Sequence, residues 1–142
     1  MPIQFHPAPG TVLICDYSAG FVAPEMIKRR PAVVISPRLP HRDGLCSVVP
    51  LSGTEPSRSV PYVCRLDLER PLPMPFSSSV FWAKADMLAT VRFERLDLFR
   101  TARDHTGKRQ YLKIMLSKTD LDRVRICVLH GLGMGSLTTT LE

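Results

Sequence analysis

The sequence predicts a mainly β domain, in the form of a small, mostly antiparallel barrel that one C-terminal helix completes. Short runs of β-branched and apolar residues recur along most of the 142 residues, and loops containing proline or glycine separate them. The apolar spacing changes only near the C-terminus, where Leu121, Val124 and Val128 form an i, i+3, i+7 stripe. Many short strands followed by one late helix therefore indicate this fold class.

Three strands open the domain, and polar side chains stand at the ends of two of them. Residues 11–17 form the first run, and residues 28–36 (KRRPAVVIS) lead from three cations into the second. Pro31 has no N–H and suits the first position of a strand, while the β-branched residues after it indicate burial on both faces. The third run ends at Ser52. We expect Arg30 to lie at the rim of the second strand, where Ser52 could converge with it.

The connection before the second strand, residues 18–29, predicts a long loop. It contains Gly20, Pro24 and Glu25 and runs directly into the three cations. A mobile binding loop fits this position, and a solvated connection between strands is the plain alternative.

Two further strands are predicted at residues 60–67 and 80–86, with a proline-rich loop between them. The side chains of residues 80–86 alternate between an apolar face and a face that carries Trp82, Lys84 and Asp86. A strand with this alternation is buried on one side only, so we expect Lys84 and Asp86 to lie side by side on the open face.

After a small strand at residues 89–91, the spacing of Phe93, Leu96 and Phe99 indicates a short helical turn. A second basic cluster then surrounds Gly107. A solvated loop and a nucleic-acid contact are equally open for it, and its cations are Arg100, Arg103, Lys108 and Arg109.

The last strand is predicted at residues 111–116, and the helix follows it. Thr119 and Asp122 have the spacing of a capping box, and Gly131 stands where the helical stripe stops. The stripe itself predicts core packing, because apolar residues at this spacing share one helix face.

The composition predicts one domain over residues 1–142, with a core at about 10–131 and a flexible tail at 132–142. Hydrophobic residues make up 44% of the chain and charged residues 23%, which is ordinary for a globular protein of this size. The sequence contains neither an apolar stretch of about 18 residues nor an N-terminal leader pattern. We therefore expect a cytoplasmic protein that does not engage a membrane.

The cysteine and charge counts bound the chemistry. The four cysteines are far apart and lack the paired spacing of a zinc site, so buried, reduced thiols are predicted, with no metal site and no cofactor. The net charge of +6 favours a polyanionic partner but does not identify one.

From about Gly10 to Gly131, the chain resembles the PemK/MazF family of bacterial toxins. As in that family, Glu25 stands five residues before Arg30 of an arginine–proline pair, and a hydroxyl, that of Ser52, ends the third strand. Further matches in order and spacing are Lys84, Asp86, Thr90 and Val91, followed by Arg95, Leu96 and Asp97.

The resemblance implies a Src-homology-3-like barrel that is used as a homodimer. It also implies a toxin of a toxin–antitoxin system that acts as a metal-independent endoribonuclease. The chain departs from the family beside the loop glutamate, where Pro24 replaces the histidine of some members and Met26 replaces the usual glutamine. This departure leaves the acid–base assignment open.

The resemblance further implies a site for cutting RNA. Without a metal, cleavage needs a base for the 2′-hydroxyl proton, cations for the phosphorane charge and an acid for the leaving 5′-oxygen, and it yields a 2′,3′-cyclic phosphate and a 5′-hydroxyl. Arg30 suits charge stabilisation, since its guanidinium stays protonated and binds phosphate bidentately, and Ser52 would donate a hydrogen bond. Asp86 is the leading base, Lys84 a phosphate contact or acid, and Glu25 the rival base. The predicted RNA contacts beyond this set are Lys28, Arg29, Arg92 and Arg95.

Two other functions remain open at this point. A related toxin group on the same barrel inhibits DNA gyrase through its C-terminal helix, and a barrel without activity could bind nucleic acid through basic loops and exposed aromatic residues. For an RNA-cutting toxin, we expect a cognate antitoxin whose flexible acidic segment competes for the cations at residues 28–30. Phe21, Met26 and Phe76 are candidates to receive its apolar anchors.

Overall fold

The computed structural model describes residues 3–140 and builds them into ten β-strands and one α-helix. The elements are β1 (Thr11–Asp16), β2 (Arg29–Val34), β3 (Leu45–Ser52), β4 (Val63–Asp67), β5 (Val80–Lys84), β6 (Ala89–Arg92), β7 (Leu96–Asp97), β8 (Phe99–Arg103), β9 (Arg109–Leu112), β10 (Ile114–Met115) and α1 (Lys118–Gly131). Short 3-10 helices at Ala85–Met87, Phe93–Arg95 and Gly135–Thr140 complete them. The prediction of a mainly β fold with a C-terminal helix is confirmed.

Eight of these strands form one antiparallel sheet, in which the order is β10, β1, β2, β3, β5, β4. The remaining two members lie off this path, because β6 pairs with the first half of β3 and β7 pairs with β1. Strands β8 and β9 pair only with each other, as a separate hairpin. The end of β3 that carries Ser52 is therefore left to pair with β5.

The first three strands are buried on both faces, as their apolar runs predict. On one face, Val33 and Val49 join Val124 and Val128 of α1 in a core cluster. The opposite face packs a second cluster around Val34, against which side chains of the β1–β2 connection also lie. Because consecutive side chains in a strand point to opposite faces, an uninterrupted apolar run is what a strand between two such layers requires.

The helix begins at a cap that differs from the predicted one. The hydroxyl of Ser117 accepts a hydrogen bond from the backbone N–H of Asp120 at 3.1 Å, so Ser117 is the N-cap and the assignment to Thr119 and Asp122 is wrong. Ser117 lies at the turn where the chain leaves β10, and only there is its side chain aligned with the open N–H groups of the first turn. The helix ends at Gly131, the predicted stop.

The segment after the helix packs against it. A 3-10 helix at Gly135–Thr140 contacts α1, and a Cβ on Gly135 would lie 2.6 Å from the His130 ring. Thr138 is buried. The flexibility expected for residues 132–142 stays a prediction. Residues 141 and 142 lie outside the described part of the chain.

Two strand boundaries differ from prediction. The strand predicted at residues 60–67 begins at Val63, and the strand predicted at 111–116 is divided between β9 and β10. The small strand and helical turn expected near residue 90 are confirmed, as β6 and the 3-10 helix Phe93–Arg95. No helix within residues 3–140 has both the length and the apolar character that crossing a membrane requires.

Candidate active site

Arg30 lies at the rim of the sheet, as the second residue of β2, and lines a cavity of about 290 Å³. Its Nε donates a hydrogen bond to the carbonyl oxygen of Ile27 at 3.3 Å. Within residues 3–140 no carboxylate forms an ion pair with Arg30, so the rest of the guanidinium is available to an anion. A half-buried guanidinium without a counter-charge is an arrangement suited to phosphate.

Ser52 reaches the same end of the sheet from the neighbouring strand. In the antiparallel β2–β3 ladder Ala32 lies opposite Pro50, so Arg30 and Ser52 are each two residues further towards one edge. Ser52 is only 7% exposed, and its hydroxyl accepts a hydrogen bond from the N–H of Thr54 at 3.1 Å. The hydroxyl thus holds the turn after β3, while its neighbour Gly53 lines the cavity.

Lys84 belongs to the same face of the sheet as Arg30 and Ser52. Ser52 pairs with Trp82, and directly paired residues share a face, as do residues two apart in one strand. The two strand spacings and one two-residue step between Arg30 and Lys84 correspond to about 12 Å between their Cα atoms. Neither Lys84 nor Ser52 is among the residues that line the Arg30 cavity, so their binding of the same phosphate as Arg30 stays a prediction. Trp82 is half-buried between them.

Asp86 lies outside the strand, and the expectation that it continues β5 beside Lys84 is wrong. Strand β5 ends at Lys84, and Asp86 lies in the 3-10 helix Ala85–Met87, which packs against α1. A Cβ on Gly131 would approach the Asp86 Cα to 3.1 Å, a tight contact, so the helix end packs closely against the backbone of Asp86. The strand alternation fails because the chain turns as soon as the sheet ends.

Glu25, the rival base, is exposed on the connection between β1 and β2 and is not among the residues that line the Arg30 cavity. A backbone hydrogen bond joins the two ends of this connection, residues 17–28: the N–H of Tyr17 donates to the carbonyl of Lys28 at 2.8 Å. Lys28 itself has a φ of 71°, a left-handed conformation that is uncommon for a side-chain-bearing residue. The loop therefore leaves the sheet sharply just before Arg29 and Arg30.

Arg95 holds this loop from the other side. One guanidinium nitrogen donates to the carbonyl oxygen of Asp16 at 3.0 Å, and the guanidinium lies 4.8 Å from the centre of the Phe21 ring. These contacts are internal and stabilise the loop, whereas the sequence predicted an RNA contact for Arg95. That contact stays a prediction.

The other predicted RNA contacts are exposed. Arg92 lies in β6 and forms an ion pair with Glu94 at 3.0 Å. Arg29 pairs with Asp16 across β1 and β2 and lines a second cavity. The Asp16 carboxylate accepts hydrogen bonds from the hydroxyl and backbone N–H of Ser18, which lower its pKa, so it remains charged beside Arg29.

The segment after the proline-rich loop completes the Arg30 cavity, and the sequence did not indicate it. Phe76, Ser77 and Ser78 line the cavity opposite Arg30. The segment folds back on the proline-rich loop, and backbone hydrogen bonds hold it there. One of them runs from the N–H of Leu72 to the carbonyl of Ser78 at 3.0 Å. Exposed hydroxyls at this position could bind the same anion as Arg30. Three consecutive serines were the only sequence signal.

The cysteines and the described acidic residues do not assemble a metal site. All four cysteines are free thiols, three of them buried. Burial raises the pKa of both Cys15 and Cys46 to about 11, so these thiols are protonated at neutral pH. Within residues 3–140 no three His, Cys, Asp or Glu side chains stand close enough together to hold a metal ion.

Comparison with known proteins places this geometry in context. A family model described as PemK-like, MazF-like toxin of type II toxin-antitoxin system matches residues 8–130. The uncharacterized protein YifN of Escherichia coli (strain K12) is 29% identical over 126 residues, which cover 76% of this chain and 83% of that protein.

Solved structures resemble the fold over nearly its whole length. An endoribonuclease from a Mycobacterial species, in complex with its cognate antitoxin, superposes with a TM-score of 0.59 at 19% identity, covering 90% of this chain and 96% of that one. MazF from Deinococcus radiodurans gives a TM-score of 0.58 at 20% identity, covering 92% of this chain and 100% of that one. At these identities the likeness establishes the fold alone.

Proposed function

The chain belongs to the PemK-like, MazF-like toxin family of type II toxin-antitoxin systems, and from this premise we propose that it is a toxin that cuts single-stranded RNA without a metal ion. The observation that carries the proposal is the Arg30 cavity. It offers a guanidinium that no carboxylate within residues 3–140 neutralises, at a rim where hydroxyl-bearing residues face it. Such a cavity suits the charge that develops on a phosphate during cleavage.

The proposed reaction uses the substrate's own 2′-hydroxyl as nucleophile. A base removes its proton, the 2′-oxygen attacks phosphorus, and the bond to the 5′-oxygen breaks as an acid protonates that oxygen. Arg30 stabilises the phosphorane charge, with Lys84 as a second cation on the same face of the sheet. Ser52 holds the turn after β3 and is the predicted hydrogen-bond donor to the phosphate. Ser77 offers an exposed hydroxyl in the Arg30 cavity.

The base of the proposed mechanism comes from outside the Arg30 cavity. Asp86 is exposed in the 3-10 helix that packs against α1, and Glu25 is exposed on the β1–β2 loop. Neither residue lines the Arg30 cavity. Asp86 remains our leading proposal for the base and Glu25 its rival. Glu25 lies on the connection that leads into Arg30, whereas Asp86 lies in the 3-10 helix after β5. The pH dependence of cleavage by the variants Asp86→Asn and Glu25→Gln separates these possibilities.

The proposal is tested with purified protein and a long single-stranded RNA in the presence of EDTA. We expect cleavage that persists in EDTA, spares DNA, and leaves 2′,3′-cyclic phosphate and 5′-hydroxyl ends. A 2′-deoxy nucleotide at the cut position should abolish cleavage there. A 5′-phosphate product would identify water as the nucleophile and refute the mechanism.

The biological proposal is a homodimeric toxin that a cognate antitoxin neutralises through a flexible acidic segment. The cations at residues 28–30 would face RNA phosphates in one complex and carboxylates in the other, so both ligands compete and salt weakens both. Co-expression with a neighbouring open reading frame should relieve the growth arrest that the chain causes alone. A chain that is harmless when expressed alone would contradict the toxin assignment.

A second candidate is a nucleic-acid-binding domain without activity. The position of Asp86 favours it, because the leading base lies in the 3-10 helix after β5 and does not line the Arg30 cavity. Single-stranded RNA would then be bound by cations and the half-buried Trp82 without being cut. Intact RNA recovered after prolonged incubation at equimolar protein would identify this function.

A further inference from the structure

A second cavity of about 530 Å³ lies beside the Arg30 cavity and carries more positive charge. Arg29, Arg100 and Arg109 line it, together with the carboxylate of Asp97. Asp97 forms an ion pair with Arg100 at 3.1 Å, and the Asp16 carboxylate lies across the strand pair from Arg29, so the three guanidinium groups are only partly neutralised. We refer to it as the hairpin cavity, because Arg100 and Arg109 come from the β8–β9 hairpin.

The hairpin presents its cations on one fixed face. Arg100 lies opposite Tyr111 in the ladder, and its guanidinium is 5.9 Å from the centre of the tyrosine ring. Arg109 and Tyr111 are two residues apart in β9 and so share a face. The opposite face is anchored by Phe99, which is 1% exposed in the core. Contacts with Asp97 and Tyr111 position Arg100, and the strand register places Arg109 on the same face.

The turn of the hairpin is also ordered by side-chain hydrogen bonds. The Asp104 carboxylate accepts bonds from the backbone N–H groups of Thr106 and Lys108, at 2.9 and 3.0 Å. Gly107 supplies the positive φ of 84° that the turn requires. The guanidinium of Arg103 donates to the Gly107 carbonyl at 2.8 Å, so this cation is committed to the turn. Arg100 and Arg109 are the hairpin cations that face the cavity.

The two cavities adjoin each other along a single wall. Pro75 and Phe76 line both of them. Arg29 and Arg30 are consecutive in β2, so their side chains leave the strand in opposite directions, one into each cavity. A chain bound at Arg30 can therefore continue past Phe76 into the hairpin cavity without leaving the protein surface.

We propose that the hairpin cavity is a second RNA subsite, in which Arg29, Arg100 and Arg109 bind backbone phosphate of nucleotides that flank the cut, while the Tyr111 ring stacks on a base. The position relative to the cut rests on the proposed function of the Arg30 cavity; the binding of single-stranded RNA does not. Guanidinium groups match phosphate bidentately, and stacking on an aromatic ring tolerates any base. The subsite would therefore strengthen binding without reading sequence.

RNA explains the observations better than an acidic peptide. A peptide carboxylate would use the cations but leave the Tyr111 ring, 48% exposed beside them, without a role. A nucleotide uses both, since it joins a phosphate to a flat ring at short distance. Met74, 78% exposed on the opposite wall, adds an apolar surface that a base can cover.

The test compares Arg109→Gln and Tyr111→Ala with the matched control Arg38→Gln. Arg38 is an exposed arginine in the chain after β2, and it does not line the hairpin cavity. It forms an ion pair with Asp43 at 3.4 Å. The probes are two fluorescent RNAs with a 2′-O-methyl group at the cut nucleotide. One contains about five nucleotides, and the other extends this sequence by about six on each side.

For the extended probe we expect Arg109→Gln and Tyr111→Ala each to raise Kd about tenfold, whereas the short probe binds all proteins alike. Arg109→Gln should also lower the slope of log K against log salt by about 0.7, the value for one phosphate contact on a single strand. Arg38→Gln should match the wild type. Unchanged binding of the extended probe, or equal losses for Arg38→Gln, would overturn the proposal. Urea denaturation verifies that each variant is folded.

Two further outcomes separate this proposal from the proposed function. If the protein cuts no RNA, a 20-nucleotide single-stranded RNA of mixed sequence replaces the probes, and the same loss in Arg109→Gln supports the subsite although cleavage has failed. If Arg109→Gln binds RNA normally but loses its cognate antitoxin, the cavity serves the peptide and the RNA subsite is refuted.

Discussion

Among the described residues, Arg30 is the one guanidinium that lines the Arg30 cavity, and replacing it by alanine should affect both stability and cleavage. Within residues 3–140, the side chain makes one hydrogen bond, from Nε to the Ile27 carbonyl at 3.3 Å. Loss of a bond of this kind costs about 0.5–1.5 kcal/mol of folding free energy. The variant should therefore fold, with a thermal midpoint lowered by about 4 °C.

The effect on cleavage should be much larger than the effect on stability. An arginine has five N–H donors, of which Nε–H is used internally. The remaining donors can bind two phosphate oxygens at once, and removal of such a contact in a transition state costs about 3–4 kcal/mol, which corresponds to a factor of about 10² to 10³ in kcat. Arg30→Lys keeps the charge but loses the bidentate geometry, so we expect an intermediate loss of about tenfold.

The assay is single-turnover cleavage of an RNA oligonucleotide that contains one cut site, with enzyme in excess over substrate. Single-turnover conditions separate the chemical step from product release. Arg38→Ala serves as the control for a change in net charge, and circular dichroism verifies folding. Turnover within threefold of the wild type in a well-folded Arg30→Ala protein would remove Arg30 from the site and refute the reasoning above.

Three other predictions follow from the structure. Of Asp86→Asn and Glu25→Gln, the variant that lacks the base should lose the acidic limb of the pH–rate profile, while the other keeps it. Burial raises the pKa of Cys15 and Cys46 to about 11, above the ordinary value of 9.0, so the folded state retains protons that the unfolded state releases. The free energy of unfolding should consequently fall between pH 9 and 11, by about 2–3 kcal/mol per thiol, in urea titrations at both ends of that range. Ser117→Ala should destabilise the protein by about 0.5–2 kcal/mol in the same assay, because the helix loses its N-cap.

The two stability predictions each have a matched control. A Cys15→Ala/Cys46→Ala protein should show a flatter dependence of stability on pH, and an unchanged slope would assign the effect to other groups. Thr119→Ala tests the cap, because Thr119 lies one residue inside the helix start and its hydroxyl is not the capping group. Equal losses for Ser117→Ala and Thr119→Ala would contradict the capping assignment.

The parts of the fold that the sequence predicted are those whose signal is local. Strand β2 follows from a proline and an unbroken β-branched run, and α1 follows from the spacing of its buried residues. The approach of Arg30 and Ser52 also needed only an antiparallel pair of strands, since both residues stand at strand ends. For these features, the spacing of apolar residues along the sequence is enough to predict which residues share a strand or a helix face.

The parts that were missed depend on contacts between distant residues. Nothing in the proline-rich segment indicates that Ser77 folds back beside Arg30, because that position is fixed by backbone hydrogen bonds across the loop. Asp86 was misplaced because the strand pattern continues two residues beyond the strand itself. The N-cap was misassigned since two hydroxyl residues compete for it, and only the turn after β10 decides between Ser117 and Thr119.

The wall formed by Pro75 and Phe76 also has a mechanical consequence. Because Pro75 and Phe76 line both cavities, a polynucleotide that occupies both must bend over the short ridge that these two residues would form. A duplex has a persistence length of about 50 nm and does not follow so tight a curve, while the backbone of a single strand does. The ridge would therefore reject paired RNA by stiffness alone, so that secondary structure in a transcript would protect its sites before any base is recognised.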